Sequence, residues 1–120
     1  MNEQQHSVRV TLRDQTVVVN VSGYWNEEAG KSVLEQVLAH VKVGKKCVVI
    51  DFSATKLLNS RAVGTLLDMV ITITEDFLGR VILTQASPLM NEIFEVSGVN
   101  QMTESAPDMA TALEQAARGA

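Results

Sequence analysis

The chain lacks paired cysteines, long apolar runs and clusters of basic residues. Its one cysteine, Cys47, excludes an internal disulfide framework, and its place in the apolar run CVVIDF predicts a buried thiol. No segment approaches the ~18 consecutive apolar residues of a membrane span, and the N-terminal MNEQQHSVRV contains no apolar core of a signal peptide. We therefore expect a cytoplasmic protein that is neither secreted nor inserted into a membrane.

Basic residues are outnumbered and dispersed. Ten Lys and Arg residues stand against fourteen Asp and Glu residues, which gives a net charge of -4. Only Lys45 and Lys46 are adjacent. Because phosphate binding depends on clustered Lys and Arg, this distribution argues against nucleic acid as the main partner.

Histidine and cysteine, which supply many catalytic triads and zinc sites, are also few, with two and one in the chain. His6 falls in the N-terminal segment 1–6, which we expect to be flexible, and His40 falls near the end of a predicted helix. Neither forms a visible triad or metal cluster with Cys47, and the glycines form no phosphate-cradling motif. The sequence therefore predicts a protein that is not an enzyme and has no metal or cofactor.

The first half of the chain predicts three strands and one helix. Two β-branched runs, SVRVTLRDQ and TVVVNVSGYW, read as a hairpin with its break at 13–15. Asn26 is placed to cap a helix whose first turn carries Glu27 and Glu28, and Gly44 is placed to end it. The run KKCVVIDFS is apolar on both faces, which predicts a central strand covered by helices.

The second half predicts three helices and two strands. A helix over 60–77 precedes the strand RVILTQA, and Ser87, Pro88 and Gly98 mark the start and stop of the next helix. NQMTES predicts a short last strand. The final helix follows, with Ser105 and Asp108 spaced like a capping box and Pro107 in its first turn.

This order of elements predicts the fold class. A hairpin followed by βαβ units gives an α/β protein with a mixed, mostly parallel sheet and about four helices. The chain is long enough for one hydrophobic core, so we expect residues 1–120 to form a single domain.

The turn TKLLNS after the central strand is the candidate functional site. It follows the carboxyl end of that strand, where open α/β sheets place functional groups. Ser60 is a good helix cap, and a phosphate on it would sit beside unpaired N–H groups and stabilise the helix start. The simpler interpretation is that Ser60 is only a cap. Asp51, at the strand end, is expected to orient the Ser60 turn.

The predicted helix over 60–77 carries two apolar rows. The first row is expected to face the core and comprises Val63, Leu67, Val70, Ile71 and Phe77. The second row extends the apolar surface around the helix and comprises Ala62, Leu66, Met69 and Ile73. Either part of this second row is exposed as a docking patch, with Met69 as an adaptable contact, or the helix is buried on two sides.

These residues resemble the STAS domain family, in particular the stand-alone bacterial anti-sigma factor antagonists. The resemblance rests on VVIDFSATKLLNSRAVGTLL and GRVILTQASPLMNEIFEVSGV and extends over nearly the whole chain, from TVVVNVSGYWN to ATALEQA. Its most specific parts are the spacing from Asp51 to Ser60 and the run SPLMNEIFEVSGV. The resemblance implies a STAS-like domain.

In that family a D-S-[ST]-G-L-G signature opens the second helix, and its first serine is phosphorylated by a partner kinase. Here the signature reads Asn59, Ser60, Arg61, Ala62, Val63, Gly64. The resemblance therefore assigns phosphorylation to Ser60, while only Ser60 and Gly64 match the signature. Arg61 adds a cation that could pair with a phosphate.

The resemblance implies a partner-switching protein of signal transduction and transcription regulation. Unphosphorylated, it would bind a GHKL-type serine kinase or anti-sigma factor; phosphorylated at Ser60, it would release that partner, and a PP2C-type phosphatase would reset it. The implied partner contacts are Asn59, Ser60, Arg61, Ala62, Thr65, Met69 and Ile73, with Asp51 and Gly64 in support. Two alternatives remain open: an unphosphorylated STAS subunit of a membrane lipid-transport ABC complex, and a scaffold in a stress-sensing assembly.

Overall fold

A six-stranded sheet and four α-helices make up the computed structural model, which describes residues 5–118. The strands are β1 (His6–Arg13), β2 (Thr16–Trp25), β3 (Cys47–Asp51), β4 (Thr55–Leu58), β5 (Arg80–Thr84) and β6 (Glu104–Ala106). The helices are α1 (Glu27–Val41), α2 (Ser60–Ile71), α3 (Pro88–Ser97) and α4 (Met109–Ala117). A π-helical turn, Thr72–Asp76, continues α2, and a 3₁₀ turn, Val99–Gln101, follows α3.

The sheet is mixed, as the sequence predicts. Its strand order is β1-β2-β3-β5-β6, and β1 pairs with β2 antiparallel while the other pairs are parallel. β3 lies in the centre, which agrees with its apolar residues on both faces. The carboxyl ends of β3, β5 and β6 therefore lie at one edge of the sheet, where the connections that follow them can form a site.

Two apolar layers bury the two faces of this sheet. The larger layer packs α1, α2 and α3 against alternate residues of the strands, including Val19, Ile50 and Leu83. On the other face, α4 packs through Ala112 against Val49 and Ile82. Helices therefore cover both faces, and the strands can be apolar on both.

The predicted helix caps are mostly confirmed. The Asn26 side chain accepts a hydrogen bond from the Ala29 N–H at 2.9 Å, and Ser87 accepts one from the Met90 N–H at 3.1 Å. Gly98 ends α3 with φ 89°, a left-handed conformation that glycine adopts without a Cβ penalty. The predicted capping box before α4 is wrong. Ser105 lies in β6, while Asp108 caps α4 from just before its first residue, so Pro107 precedes the helix.

Three further predictions need correction. TKLL was predicted as a turn, but it forms β4, because its backbone pairs in parallel with β2. The Thr55 hydroxyl also donates to the Val21 carbonyl at 2.7 Å. Cys47 is half-buried, since it lies at the start of β3 where the sheet ends. The flexible segment predicted over 1–6 is wrong for His6, which opens β1. Residues 1–4 of that segment lie outside the described residues.

Candidate functional site

The helix α2 begins at Ser60, but its amino-terminal cap is the preceding residue, Asn59. Asn59 has extended backbone angles, and its side-chain oxygen accepts a hydrogen bond from the Ala62 N–H at 2.8 Å. Ser60 is therefore the first helical residue and not the cap that the sequence predicts. Its side chain is exposed, and within residues 5–118 its hydroxyl makes no hydrogen bond. The hydroxyl is free for chemistry because Asn59 supplies the cap.

Asn59 is itself held by the end of β2. Its amide nitrogen donates to the Tyr24 hydroxyl at 3.2 Å, and its backbone N–H donates to the Trp25 carbonyl at 3.3 Å. These two contacts set the position of Ser60 relative to the sheet. Neither Tyr24 nor Trp25 of β2 could be identified as a site residue from the sequence, because the turn they support lies more than thirty positions later in the chain.

Asp51 supports a different part of the turn from the one expected. Its carboxylate accepts a hydrogen bond from the Asn20 amide at 3.0 Å and one from the Ser53 N–H at 2.9 Å. Asp51 thus ties β3 to β2 and shapes the first residues after β3. The prediction that Asp51 directly orients the Ser60 turn is wrong, since Asn59 performs that role.

Charge around Ser60 favours an anion only in part. The amino-terminal end of α2 carries the positive end of the helix dipole, and no acidic residue lies in its first turn. Arg61 is adjacent, yet its guanidinium lies 3.5 Å from the Glu27 carboxylate of α1. A phosphate on Ser60 would therefore compete with Glu27 for Arg61.

The second apolar row of α2 is buried. Ala62, Leu66, Met69 and Ile73 are each at most 2% exposed. These four side chains belong to the main core, and the docking patch predicted from Ala62, Met69 and Ile73 is therefore wrong. The first row, which was expected to face the core, is the less buried one: Val70 is fully buried, whereas Leu67, Ile71 and Phe77 are half-buried.

The residues of α2 that do face solvent are polar or lack a side chain. Arg61, Gly64 and Asp68 are exposed, and Thr65 is half-buried beside Gly30 of α1. A Cβ placed on Gly64 would meet no atom within 4 Å. Of the predicted partner contacts, Asn59, Ser60, Arg61 and Thr65 therefore remain accessible.

An apolar groove borders Ser60 on the side toward α3. It has a volume of about 400 Å³, and its walls come from the end of β4, the first turn of α2 and one face of α3. Leu89 and Val96 of α3, which line the groove, are 66% and 89% exposed. The lining residues are Leu58, Ser60, Val63, Leu89, Glu92, Ile93, Val96 and Ser97. We call this surface the Ser60 groove.

The Ser60 groove could not be found from the sequence of α2 alone. Five of its eight lining residues come from α3, about thirty residues further along the chain. The available signal was the placement of Leu89 and Val96 on α3, away from its buried residues Met90 and Phe94. Exposed apolar side chains grouped in this way are a feature of protein interaction sites.

Within residues 5–118, no group of three or more His, Cys, Asp or Glu side chains is placed to hold a metal ion. Among the helices of that part of the chain, none combines the length and the apolar character needed to cross a bilayer.

The sheet order and the helices define a STAS-type α/β domain. The sequence matches the family model described as "Mlab, STAS domain" over residues 8–119, so the chain belongs to this family. The resemblance inferred from the sequence is thereby confirmed. A search of curated proteins finds no match to the chain.

Solved structures share the fold. An anti-sigma factor antagonist from Mycobacterium paratuberculosis is 20% identical, with a TM-score of 0.80 and 97% of each chain covered. The phosphorylated form of the Bacillus cell fate determinant SpoIIAA is 22% identical, with a TM-score of 0.73, and 91% of this chain and 98% of that one are covered. A serine-to-glutamate variant of RsbS from Moorella thermoacetica is 18% identical, with a TM-score of 0.78, and coverage is 92% and 95%. At these identities the likeness establishes the fold.

Proposed function

We propose that this protein is a phosphorylation-controlled binding protein whose partner docks on the Ser60 groove. The observation that carries the proposal is the position of Ser60, which is exposed, has no capping role and borders an apolar groove. A binding role, not catalysis, accounts for a surface made of exposed leucine and valine side chains.

Phosphorylation of Ser60 would change this surface more than it would change the fold. A phosphate adds almost two negative charges at neutral pH, and at the first turn of a helix these are compatible with the helix dipole. The helix would remain folded. A partner that covers the groove would, however, desolvate the phosphate, and the neighbouring cation Arg61 is shared with Glu27. Such a penalty is several kcal/mol, enough to release a partner of modest affinity.

The proposed partner is a GHKL-type serine kinase or anti-sigma factor, with a PP2C-type phosphatase to reset the switch in the cytoplasm. Support comes from the similar structures, which include an anti-sigma factor antagonist and a phosphorylated form of SpoIIAA. The serine that the family signature assigns to phosphorylation corresponds to Ser60. Asn59, Arg61 and Ala62 depart from that signature, so the kinase would have to recognise a different local sequence.

A second candidate function is an unphosphorylated subunit of a membrane lipid-transport ABC complex. The observation that favours it is the family model, whose description names Mlab. In that case the same groove would hold the ATPase subunit permanently, and Ser60 would be one neutral contact among several. The two candidates therefore share a surface and differ in whether a charge at Ser60 releases the partner.

Parallel affinity captures from the source cell's lysate test both candidates. The baits are the wild type, Ser60→Ala, Ser60→Asp, Val96→Glu in the groove, and Val43→Glu as a matched control. Val43 is also an exposed valine, 71% exposed, but it lies in the turn after α1.

The switch predicts that the wild type, Ser60→Ala and Val43→Glu capture a serine kinase or anti-sigma protein, while Ser60→Asp and Val96→Glu do not. Capture of a transporter ATPase by every bait except Val96→Glu would support the second candidate. If Val96→Glu captures the same proteins as the wild type, the groove is not the docking surface. Incubation of the captured kinase with ATP and the wild type then tests whether Ser60 is its target.

A further inference from the structure

A polar cavity lies on the other side of α3 from the Ser60 groove. It has a volume of about 380 Å³ and is bounded by the ends of β5 and β6, by α3 and by the 3₁₀ turn after it. Neither Ser60 nor any residue of α2 lines it. The cavity therefore occupies the carboxyl edge of two parallel strands, which is the usual place for a small-molecule site in an open α/β sheet.

The side chains around this cavity are almost all uncharged hydrogen-bonding groups. Glu95 is the one charged residue among those that line it, and no Lys, Arg or His contributes. The neutral polar residues are Thr84, Gln85, Asn91, Asn100, Thr103 and Ser105. Thr103 already donates its hydroxyl proton to the Val99 carbonyl. The Asn91 amide donates to the Ala86 carbonyl. The other amides and hydroxyls offer both donors and acceptors, so the lining matches a ligand that also carries both.

Thr84 forms the most buried polar part of this lining. It is the last residue of β5 and is 1% exposed, and its hydroxyl makes no hydrogen bond within residues 5–118. A buried hydroxyl without a protein partner is unfavourable, and an ordered water or a ligand hydroxyl beside it would relieve that cost. The next residue, Gln85, has φ 64°, a conformation that non-glycine residues seldom adopt. Strain at the rim of a cavity is a feature of ligand sites.

Apolar surface is also present in the cavity. Leu83, Phe94 and Pro107 contribute to the walls, and Phe94 is buried against Phe52. A ligand with hydroxyl groups on some sides and C–H groups on others would contact both kinds of surface. A volume of about 380 Å³ suits a molecule the size of a monosaccharide, at the small end of ligand pockets.

We infer that this cavity binds a small uncharged polyol of about monosaccharide size. Anions are disfavoured because the lining contains a carboxylate and no cation. A single exposed carboxylate among six neutral groups gives little selectivity for a cation over a neutral molecule. The inference does not depend on the function proposed for the Ser60 groove, because the two surfaces share no lining residue.

Amide chemical-shift titration of the ¹⁵N-labelled full chain tests the inference. The neutral probes are glucose, ribose and myo-inositol, and the charged probes are AMP and putrescine. We expect saturable shifts with at least one neutral probe, centred on the amides of Asn91, Glu95, Asn100 and Ser105. If no neutral probe gives saturable shifts there at tens of millimolar, or if AMP or putrescine binds there more tightly, the inference is overturned.

Two adjacent residues provide a matched pair of variants. Asn100 lines the cavity, while Gln101 does not, and both are exposed members of the same 3₁₀ turn. Asn100→Ala is expected to weaken binding of the neutral probe about tenfold because ligand hydroxyls lose their partner, and Gln101→Ala is expected to leave it unchanged. Equal affinity in both variants would overturn the inference, whereas Ser60→Asp should bind the probe like the wild type whatever the lysate captures show.

Discussion

The side-chain oxygen of Asn59 lies 2.8 Å from the backbone nitrogen of Ala62 and caps α2. Ser60 therefore contributes no capping hydrogen bond to α2. This division of labour allows chemistry at Ser60 without loss of the helix start, because the cap is made by its neighbour.

The first prediction follows from this relationship. Asn59→Ala should lower the free energy of unfolding by about 1 kcal/mol, the usual cost of a lost amino-terminal cap. Ser60→Ala should change it by less than about 0.5 kcal/mol, as for other surface substitutions. Urea unfolding of both variants provides the measurement, and equal losses would mean that Ser60 shares the cap.

A second prediction tests the burial of Met69. Met69 is 1% exposed, whereas Val96 on the groove is 89% exposed. Met69→Ala should destabilise the protein by about 2–5 kcal/mol, because it leaves a cavity in the core. Val96→Ala should have almost no effect on stability. A thermal melt in which Met69→Ala unfolds at the same temperature as the wild type would contradict the burial of Met69 in the core.

Gly64 supports a prediction of increased stability. It lies inside α2, and a Cβ at this position would meet open space. Gly64→Ala should therefore stabilise the protein by about 1 kcal/mol, because alanine is the better helix former. Gly79→Ala is the contrasting variant, since its Cβ would collide with the backbone carbonyl of Lys46. Urea midpoints should move up for Gly64→Ala and down for Gly79→Ala; movement in the same direction would contradict the geometry.

The pair formed by Arg80 and Glu104 predicts a dependence on pH. Two hydrogen bonds of 2.7 Å join the guanidinium to the carboxylate, and they hold the pKa of Glu104 below its usual value, against a smaller opposing effect of burial. Glu104 therefore binds a proton more readily in the unfolded chain than in the folded protein. The contribution of the pair to the free energy of unfolding is complete above the ordinary glutamate pKa and is lost as the pH falls through the lowered pKa.

Glu104→Gln isolates that contribution. The variant should be less stable than the wild type at neutral pH, and its stability should fall less steeply on acidification. Urea unfolding at a series of acidic pH values gives both curves. Parallel curves would show that Arg80 does not perturb Glu104.

Cys47 gives a prediction about reactivity. Burial raises the pKa of its thiol, Arg80 acts in the opposite direction, and Glu104 raises it further. The thiol is therefore mostly protonated at neutral pH, and thiolate is the reactive form. Iodoacetamide should alkylate Cys47 in the folded protein more slowly than it alkylates the free thiol of glutathione. Unfolding the protein in urea should remove this difference in rate. Equal rates with and without urea would contradict this protection.

Much of the fold could be predicted from the sequence because its main elements have strong local signals. The β-branched hairpin, the apolar strand around Val49, and the caps Asn26 and Ser87 each depend on neighbouring residues alone. β4 was missed because it has four residues, of which Lys56 and Leu57 are exposed. Its strand conformation depends on pairing with β2, which local sequence does not reveal.

The location of the candidate site in the chain could be predicted from the sequence, but the side chains that form its exposed surface could not. A cap residue after a central strand located the start of α2, yet Asn59 and Ser60 are both good caps, and only the backbone angles decide between them. Helical periodicity revealed two apolar rows, but not that the second row is the one buried in the core. The exposed surface arises where α2 meets α3, so it depends on tertiary packing.

The position of β1 at the edge of the sheet bears on how the protein behaves at high concentration. Within residues 5–118, β1 has eight residues and pairs with another strand on one side only, whereas the opposite edge, β6, has three residues and is followed by Pro107. A long open edge can add a strand from another molecule and begin aggregation. Arg9 and Arg13 place charge along β1 and oppose such pairing. Replacing both arginines with valine would remove that charge. The folded protein would then aggregate at high concentration, although its folding would be unaffected.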